Sequence, residues 1–129
     1  MSIQGMNHFT VLARDLAATK AFYIGLLGFI DGPRPPFDFP GAWLHLGDQA
    51  VLHIVAGRPV PDPPAGVIDH IAFSASNLGE TVARLKTHKI DYVLRRLPGY
   101  GAWQLFFDDP NGAKVELDFS ADEAEPAAS

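Results

Sequence analysis

The stretch Met6-Asn7-His8-Phe9-Thr10-Val11 returns 62 residues later as Ile68-Asp69-His70-Ile71-Ala72-Phe73. Both hexapeptides carry β-branched and aromatic residues around a histidine, and the first alternates apolar Phe9 and Val11 with polar His8 and Thr10, which is typical of a β-strand with one buried face. A repeated strand of this kind indicates that the chain uses one structural module twice.

Two further matches extend the repeat. The segment Ala50-Val51-Leu52-His53-Ile54 resembles Ala113-Lys114-Val115-Glu116-Leu117, at an offset of 63 residues. The tripeptide Gly41-Ala42-Trp43 recurs as Gly101-Ala102-Trp103, at an offset of 60. Because the matches keep their order, we predict that each half folds with the same order of elements, βαβββ, in an α+β protein.

The predicted strands alternate in polarity or end at turn residues. They cover 5–13, 29–34, 41–46 and 50–56 in the first half, and 67–74, 91–96, 102–108 and 113–119 in the second. We expect module one over 5–56, a proline-rich linker over 57–66, module two over 67–119 and a disordered acidic tail over 120–129.

One helix is predicted in each module. Asp15 is positioned to cap the first helix and Gly28 to end it. Its predicted buried residues are Thr19, Phe22, Tyr23, Leu26 and Leu27. In the second helix, Asn77 and Glu80 have the spacing of a capping box. Its apolar stripe is Leu78, Val82 and Leu85.

Composition narrows the possible functions. The 129 residues include no cysteine, which excludes a disulfide scaffold, a thiolate zinc site, a cysteine nucleophile and an iron–sulfur cluster. The formal net charge of −5 disfavours nucleic acid as a partner. No apolar run approaches the roughly 20 residues that span a bilayer, so we expect a cytoplasmic protein that does not bind membranes.

Strand alternation places four polar residues on the face away from the helices. In the first strand Phe9 and Val11 should pack inward, so that His8 and Thr10 point outward. The same reasoning turns His53, His70 and Glu116 outward. If the modules pair about a pseudo-twofold axis, His8, His53, His70 and Glu116 converge. Imidazole and carboxylate are ordinary ligands of Zn²⁺, Fe²⁺, Mn²⁺, Co²⁺ and Ni²⁺, so we predict one divalent metal ion.

Other residues are candidates for contacts with a substrate. His45 shares a strand face with Trp43 and is an alternative ligand to His53, although its expected counterpart, Leu105, cannot bind metal. Arg95 and Arg96 are candidates for a substrate carboxylate, with solvated charge as the other interpretation. The corresponding loops before the third strand of each module, 37–41 and 95–100, are candidate lips of the site, and the second of them ends at Tyr100. Trp43, Trp103, Val51 and Val55 form either an apolar wall or part of the core, and His88 is expected at the surface.

These motifs together resemble one family. Asn7-His8-Phe9, the run from Phe22 to Phe29, Asp69-His70-Ile71-Ala72-Phe73 and the run from Asp109 to Leu117 are similar to those of the vicinal oxygen chelate superfamily, which includes glyoxalase I, fosfomycin-resistance and bleomycin-resistance proteins and extradiol dioxygenases. The resemblance implies paired βαβββ modules that form an open, cup-shaped sheet with helices outside. It also implies a divalent metal that chelates two neighbouring oxygens of a small-molecule substrate, and a homodimer.

Residue roles follow from the resemblance. His8, His70 and Glu116 match shared ligand positions, and His53 matches the fourth position, which is Glu in typical glyoxalase I. We expect isomerase or lyase chemistry, in which the metal stabilises an enediolate-like charge while Glu116 or His53 moves a proton.

Three alternatives stay open. His53 resembles the acid–base histidine of extradiol dioxygenases that use Fe²⁺, but Leu105-Phe106-Phe107 lacks their tyrosine. His8-Phe9-Thr10 resembles a fosfomycin-resistance signature with its substrate-contacting threonine, but this chain ends in acidic residues where a thiol transferase of that type is basic. A metal-free binding protein of the bleomycin-resistance type is the third alternative.

Overall fold

Each half of the sequence forms its own four-stranded mixed sheet. The computed structural model describes residues 2–127. The chain divides into two compact units between Ala65 and Gly66, inside the segment predicted as a linker. Among the described residues, no helix has the length and apolar character needed to cross a membrane.

The first module begins with a strand and a helical segment. Strand β1 (Phe9–Ala13) precedes helix α1 (Leu16–Lys20), which continues as a π-helical segment over Ala21–Leu26. Three strands follow, β2 (Ile30–Gly32), β3 (Gly41–Leu46) and β4 (Gln49–Ala56). The sheet order is β1-β4-β3-β2, with β1 parallel to β4 and the other pairs antiparallel.

The second module repeats this arrangement. Strand β5 (Ile71–Ser74) precedes helix α2 (Leu78–Thr87), and β6 (Val93–Arg96), β7 (Trp103–Asp108) and β8 (Lys114–Phe119) follow. The sheet order is β5-β8-β7-β6, and β5 is parallel to β8. The predicted α+β class with two βαβββ modules is confirmed.

Alternation along the strands separates a core face from an open face in each sheet. In the first module Val11, Leu52 and Ile54 are buried, whereas Thr10 and His53 lie on the opposite face, which we call the open face. The Oδ1 atom of Asp15 accepts a hydrogen bond from the amide of Ala18 at 3.0 Å, so the predicted helix cap is confirmed. The helical segment buries Thr19, Phe22, Tyr23 and Leu26, and leaves Leu27 partly exposed.

Strand register corrects one part of the predicted repeat. Trp43 lies opposite His53 in the β3–β4 pair, and Phe106 lies opposite Glu116 in the β7–β8 pair. Trp43 therefore corresponds to Phe106, at an offset of 63, and its predicted match to Trp103 is wrong. Trp103 pairs with Phe119 on the core face and is only 5% exposed, so it belongs to the core rather than to the wall of a site.

The second helix is capped by a residue distant in sequence. Asn77 has φ 67 and makes no side-chain cap, so the predicted capping box is wrong. The carboxylate of Glu123 instead accepts hydrogen bonds from the amides of Asn77 and Leu78, at 3.1 and 2.7 Å. A carboxylate at a helix N-terminus satisfies free amides and interacts favourably with the helix dipole.

The acidic tail makes two further contacts with the second module. The indole Nε1 of Trp103 donates to the carbonyl of Glu123 at 2.9 Å, and Lys86 donates to the carbonyl of Ala127 at 3.3 Å. The tail therefore contacts its own module as far as residue 127; residues 128 and 129 lie outside the described residues.

The helix cap gives a stability prediction. Glu123→Ala removes both side-chain hydrogen bonds to the start of α2, so we expect a loss of about 1 kcal/mol in the free energy of unfolding. Denaturant titration followed by circular dichroism measures it. Glu125→Ala is the matched control because it removes the same charge from an exposed position. Equal unfolding midpoints for the two variants would contradict this role of Glu123.

Candidate functional site

The open face of the first module carries a stack of three rings. The imidazole of His53 lies parallel to that of His8, with ring centroids 3.7 Å apart. On its other side His53 stacks on Trp43, with centroids 4.0 Å apart and an angle of 7° between the planes. Burial first, and then the neighbouring His8, lowers the pKa of His53. His53 is therefore favoured as a neutral imidazole, the form that binds metal or accepts a proton.

Each module holds the histidine before its first strand in the same way. The Nδ1 atom of His8 lies 2.7 Å from the side-chain oxygen of Asn7, and the Nδ1 atom of His70 lies 2.8 Å from Oδ2 of Asp69. An oxygen acceptor at this distance assigns the proton to Nδ1 and leaves the other nitrogen, Nε2, as the free ligand atom. Metal-binding histidines are commonly oriented by such a partner.

The open face of the second module carries a buried carboxylate. Glu116 has a side chain that is 7% exposed, and its Oε1 atom lies 3.0 Å from Nε2 of His70. Its other oxygen accepts a hydrogen bond of 3.3 Å from the side-chain amide of Gln104. Both ring nitrogens of His70 thus face carboxylate oxygens, and a neutral imidazole has only one proton to give. A second proton or another cation is needed between His70 and Glu116.

A second carboxylate adds to this negative charge. Asp118 follows two residues after Glu116 in β8, so both side chains lie on the open face. Burial, followed by the hydrogen bond and repulsion from Glu116, raises the pKa of Asp118 to about 6. Its Oδ1 atom is buried and has no hydrogen-bond partner among the described residues. An unpaired buried acceptor beside Glu116 and His70 fits a cation, because a cation would supply the missing interaction.

The four predicted ligands are found as two pairs, His8 with His53 and His70 with Glu116. Within residues 2–127, the side chains of His, Asp and Glu form no group of three or more with the geometry of a metal site. The assignment of all four residues to one metal ion therefore stays a prediction.

Two of the predicted substrate-binding residues lie on the open faces. Thr10 pairs with His53 across β1 and β4, so their side chains share a face. Arg95 pairs with Gln104, and its guanidinium lies 4.9 Å from the ring centroid of Phe106. Its Nε atom donates to the side-chain oxygen of Gln104 at 3.1 Å.

The other candidates have different surroundings. His45 covers Gly32 and has its Nε2 atom 3.3 Å from the carbonyl of Pro33, so it packs between β2 and β3. Its counterpart by register is Asp108 rather than Leu105, because β3 and β7 are offset by 63 residues.

Arg96 and Tyr100 are the two remaining candidates. Arg96 lies on the face of Trp103, stacks on that ring at 3.8 Å and donates to the carbonyl of Gly101 at 2.6 Å. Arg96 therefore lies on the face opposite to that of Arg95, and its contact with a substrate carboxylate stays a prediction. Tyr100 lies in the turn between β6 and β7 and is 82% exposed. His88 is exposed, as predicted.

Sequence analysis gave no reason to select Arg34. It stands among prolines in Pro33-Arg34-Pro35-Pro36, a composition typical of a loop. Gly32 lies opposite Trp43 and Val93 lies opposite Phe106, and Trp43 corresponds to Phe106. Gly32 therefore corresponds to Val93, and Arg34, two residues after Gly32, corresponds to Arg95. The offset is 61 residues, and this difference from the other offsets hides the match in the sequence.

The comparisons with known proteins agree with this fold. The sequence model of the Glyoxalase/Bleomycin resistance protein/Dioxygenase superfamily matches residues 5–117. Glyoxylase I 4 of Arabidopsis thaliana is 34% identical over an alignment of 125 residues, which covers 91% of this chain and 71% of that protein.

Two solved structures illustrate the likeness. A glyoxalase family protein from Enterococcus faecalis is 32% identical, with a TM-score of 0.69 over 92% of this chain and 99% of that one. The fosfomycin resistance protein FosX of Listeria monocytogenes is 18% identical, with a TM-score of 0.76 over 92% of this chain and 94% of that one. That structure is of a mutant complexed with Mn(II) and a dihydroxypropylphosphonic acid.

The two βαβββ modules and the match across residues 5–117 lead to one conclusion: this chain belongs to the glyoxalase/bleomycin resistance protein/dioxygenase superfamily.

Proposed function

We propose that this protein is a divalent-metal-dependent lyase or isomerase that acts on a small oxygenated organic substrate. His8, His53, His70 and Glu116 hold the metal, and Glu116 and His53 are the residues that move protons. The metal is one of Zn²⁺, Ni²⁺, Fe²⁺, Mn²⁺ and Co²⁺, which accept imidazole and carboxylate ligands.

The arrangement around His70 carries this proposal. Asp69 and Glu116 approach its two ring nitrogens at 2.8 and 3.0 Å. Nε2 of His70 and the carboxylate of Glu116 would hold a divalent cation, while Nδ1 of His70 keeps its proton for Asp69. In the first module, the hydrogen bond to Asn7 likewise leaves Nε2 of His8 free as a ligand atom.

A bound cation supplies Lewis-acid stabilisation of negative charge on substrate oxygens. Glu116 is suited to move a proton because burial strengthens its electrostatic interactions and Gln104 fixes its orientation. His53 is suited to the same role in the first module, since Trp43 and His8 hold its ring and its lowered pKa keeps it neutral. Thr10 and Arg95 are positioned for polar contacts with substrate on the two open faces.

The lyase assignment has support from the relatives and from Phe106. Glyoxylase I 4, at 34% identity, carries a glyoxalase name. Phe106 lies directly opposite Glu116, in the region where the dioxygenase interpretation requires a tyrosine. A phenyl ring has no proton to donate, which favours the lyase or isomerase over the dioxygenase.

We further propose that the protein works as a homodimer in the cytoplasm.

Metal content tests the ligand set. Protein purified without chelator should contain close to one divalent metal per chain by elemental analysis, and Glu116→Gln should lose most of it, because an anionic ligand is replaced by a neutral one of the same shape. Glu125→Gln is the matched control and should keep the metal. If the native protein is metal-free and binds none of Zn²⁺, Ni²⁺, Mn²⁺ and Fe²⁺ in titration, a metal-free binding protein replaces the proposed enzyme.

The partner of His70 gives a second prediction. Asp69→Asn leaves every proposed ligand in place but weakens the hydrogen bond to Nδ1, so metal affinity should fall by roughly 10- to 100-fold. Competition against a chromogenic chelator measures the change. Asp91→Asn, at an exposed position, is the control. Unchanged affinity in Asp69→Asn would show that Asp69 does not orient a ligand.

Reaction class is tested with two assays in parallel. The Ni²⁺ and Zn²⁺ forms should turn over hemithioacetals, and His53→Ala should reduce turnover by at least about 100-fold, the usual contribution of a positioned acid–base group. The Fe²⁺ form is measured for oxygen uptake with a panel of catechols. If the protein consumes oxygen in the presence of catechols, and His53→Ala abolishes that consumption without release of metal, the protein is a dioxygenase instead.

A further inference from the structure

Arg34 extends from the loop after β2 over the open face of the first module. Gly32, two residues earlier, lies opposite Trp43 on this face. A methyl group on Gly41 would lie 3.3 Å from Nη2 of Arg34, so the guanidinium covers that glycine. Nη2 donates to the carbonyl of Phe39 at 3.1 Å, which holds the side chain in place.

The charge of Arg34 has no counter-ion in the part of the chain that the structure describes. The ion pairs of residues 2–127 involve other side chains, and Arg34 has no carboxylate within 4.0 Å. Its Nε atom is buried and has no hydrogen-bond acceptor among those residues. A half-buried guanidinium with an unused donor is costly, and a bound anion would offset that cost.

Aromatic rings connect Arg34 with the histidines. The guanidinium carbon lies 5.1 and 5.2 Å from the ring centroids of Phe37 and Phe39. Phe37 is 43% exposed and lies 6.2 Å from Trp43, which stacks on His53. Since Gly41 and Trp43 are two residues apart in β3, Arg34 lies roughly 7 Å along the strand from the ring stack.

The second module has an arginine at the equivalent position, although the Nε atom of that arginine is paired with Gln104. Arg95 occupies the position equivalent to Arg34, lies over Phe106 and likewise has no carboxylate within 4.0 Å among the described residues. Phe106 in turn corresponds to Trp43 and pairs with Glu116. In both modules an arginine without a carboxylate partner among the described residues thus lies beside aromatic rings, although the two loops differ in sequence.

We propose that Arg34 recognises the carboxylate of a substrate whose apolar, planar body lies against Phe37 and Trp43. The other end of that substrate then reaches His8 and His53, and only this contact rests on the function proposed above. Arginine suits the role because its planar fork of donors matches a carboxylate, whereas its charge stays fixed at every physiological pH. The substrate class is an oxygenated organic acid with a conjugated or aromatic body.

Binding of 2-naphthoate to metal-free protein tests this site without reference to catalysis. The protein is stripped of metal, dialysed and titrated calorimetrically with 2-naphthoate and with 2-naphthamide, its uncharged analogue. The native protein should prefer the acid over the amide by at least about tenfold, because a charge-assisted hydrogen bond is lost with the amide. Acetate, which has the carboxylate but no apolar body, should bind far more weakly than 2-naphthoate.

Two arginine variants separate recognition from a structural role. Arg34→Gln should abolish the preference for acid over amide, whereas Arg58→Gln, which removes the same charge from an exposed position, should keep it. Arg34→Lys should retain part of the preference because it keeps the charge. Loss of loop structure would weaken acid and amide alike, so the ratio of the two affinities reports recognition independently of folding.

Either of two results would overturn the proposal. One is that native protein does not distinguish 2-naphthoate from 2-naphthamide, or binds neither. The other is that Arg34→Gln keeps the native preference. Because the titration contains no metal, a failure of the metal site leaves this measurement unaffected, and a failure here leaves the metal titrations of Glu116→Gln unaffected.

Discussion

The parallel pairing of the first and last strand of each module is the constraint on which the candidate site depends. Phe9 pairs with Leu52 in one sheet, and Ile71 pairs with Val115 in the other. This register places the outward residue of the last strand, His53 or Glu116, on the same face as the histidine that precedes the first strand. A shift by one residue would turn each of these side chains into the core.

Electrostatics then determines what such a face can hold. The second module gathers Glu116, Asp118 and His70 with more acceptors than protons, whereas the first module offers two imidazoles and an aromatic ring. The two open faces are therefore related by the repeat but differ in charge.

Sequence reasoning succeeded where alternation alone decides orientation. His53 and Glu116 were predicted on the open faces because Leu52 and Val115 must pack inward, and the period of two fixes the rest. It failed at Trp103, since three residues matched at an offset of 60 while the strands align at 63. The two offsets differ by an odd number of residues, which moves a side chain to the other face of the strand. Strand register therefore predicts the face of Trp103 correctly, whereas similarity of residue type does not.

The sequence by itself determined the repeated module, the order of its elements, the cap at Asp15 and the face of each candidate ligand, because these depend on residue type and local period. Tertiary structure decided what depends on contacts between distant segments. Glu123 caps a helix that begins 45 residues earlier, as the bond to the amide of Leu78 shows. Arg34 lies beside Gly41 on the open face because the chain after β2 folds back toward β3, and no local pattern in the sequence encodes that approach.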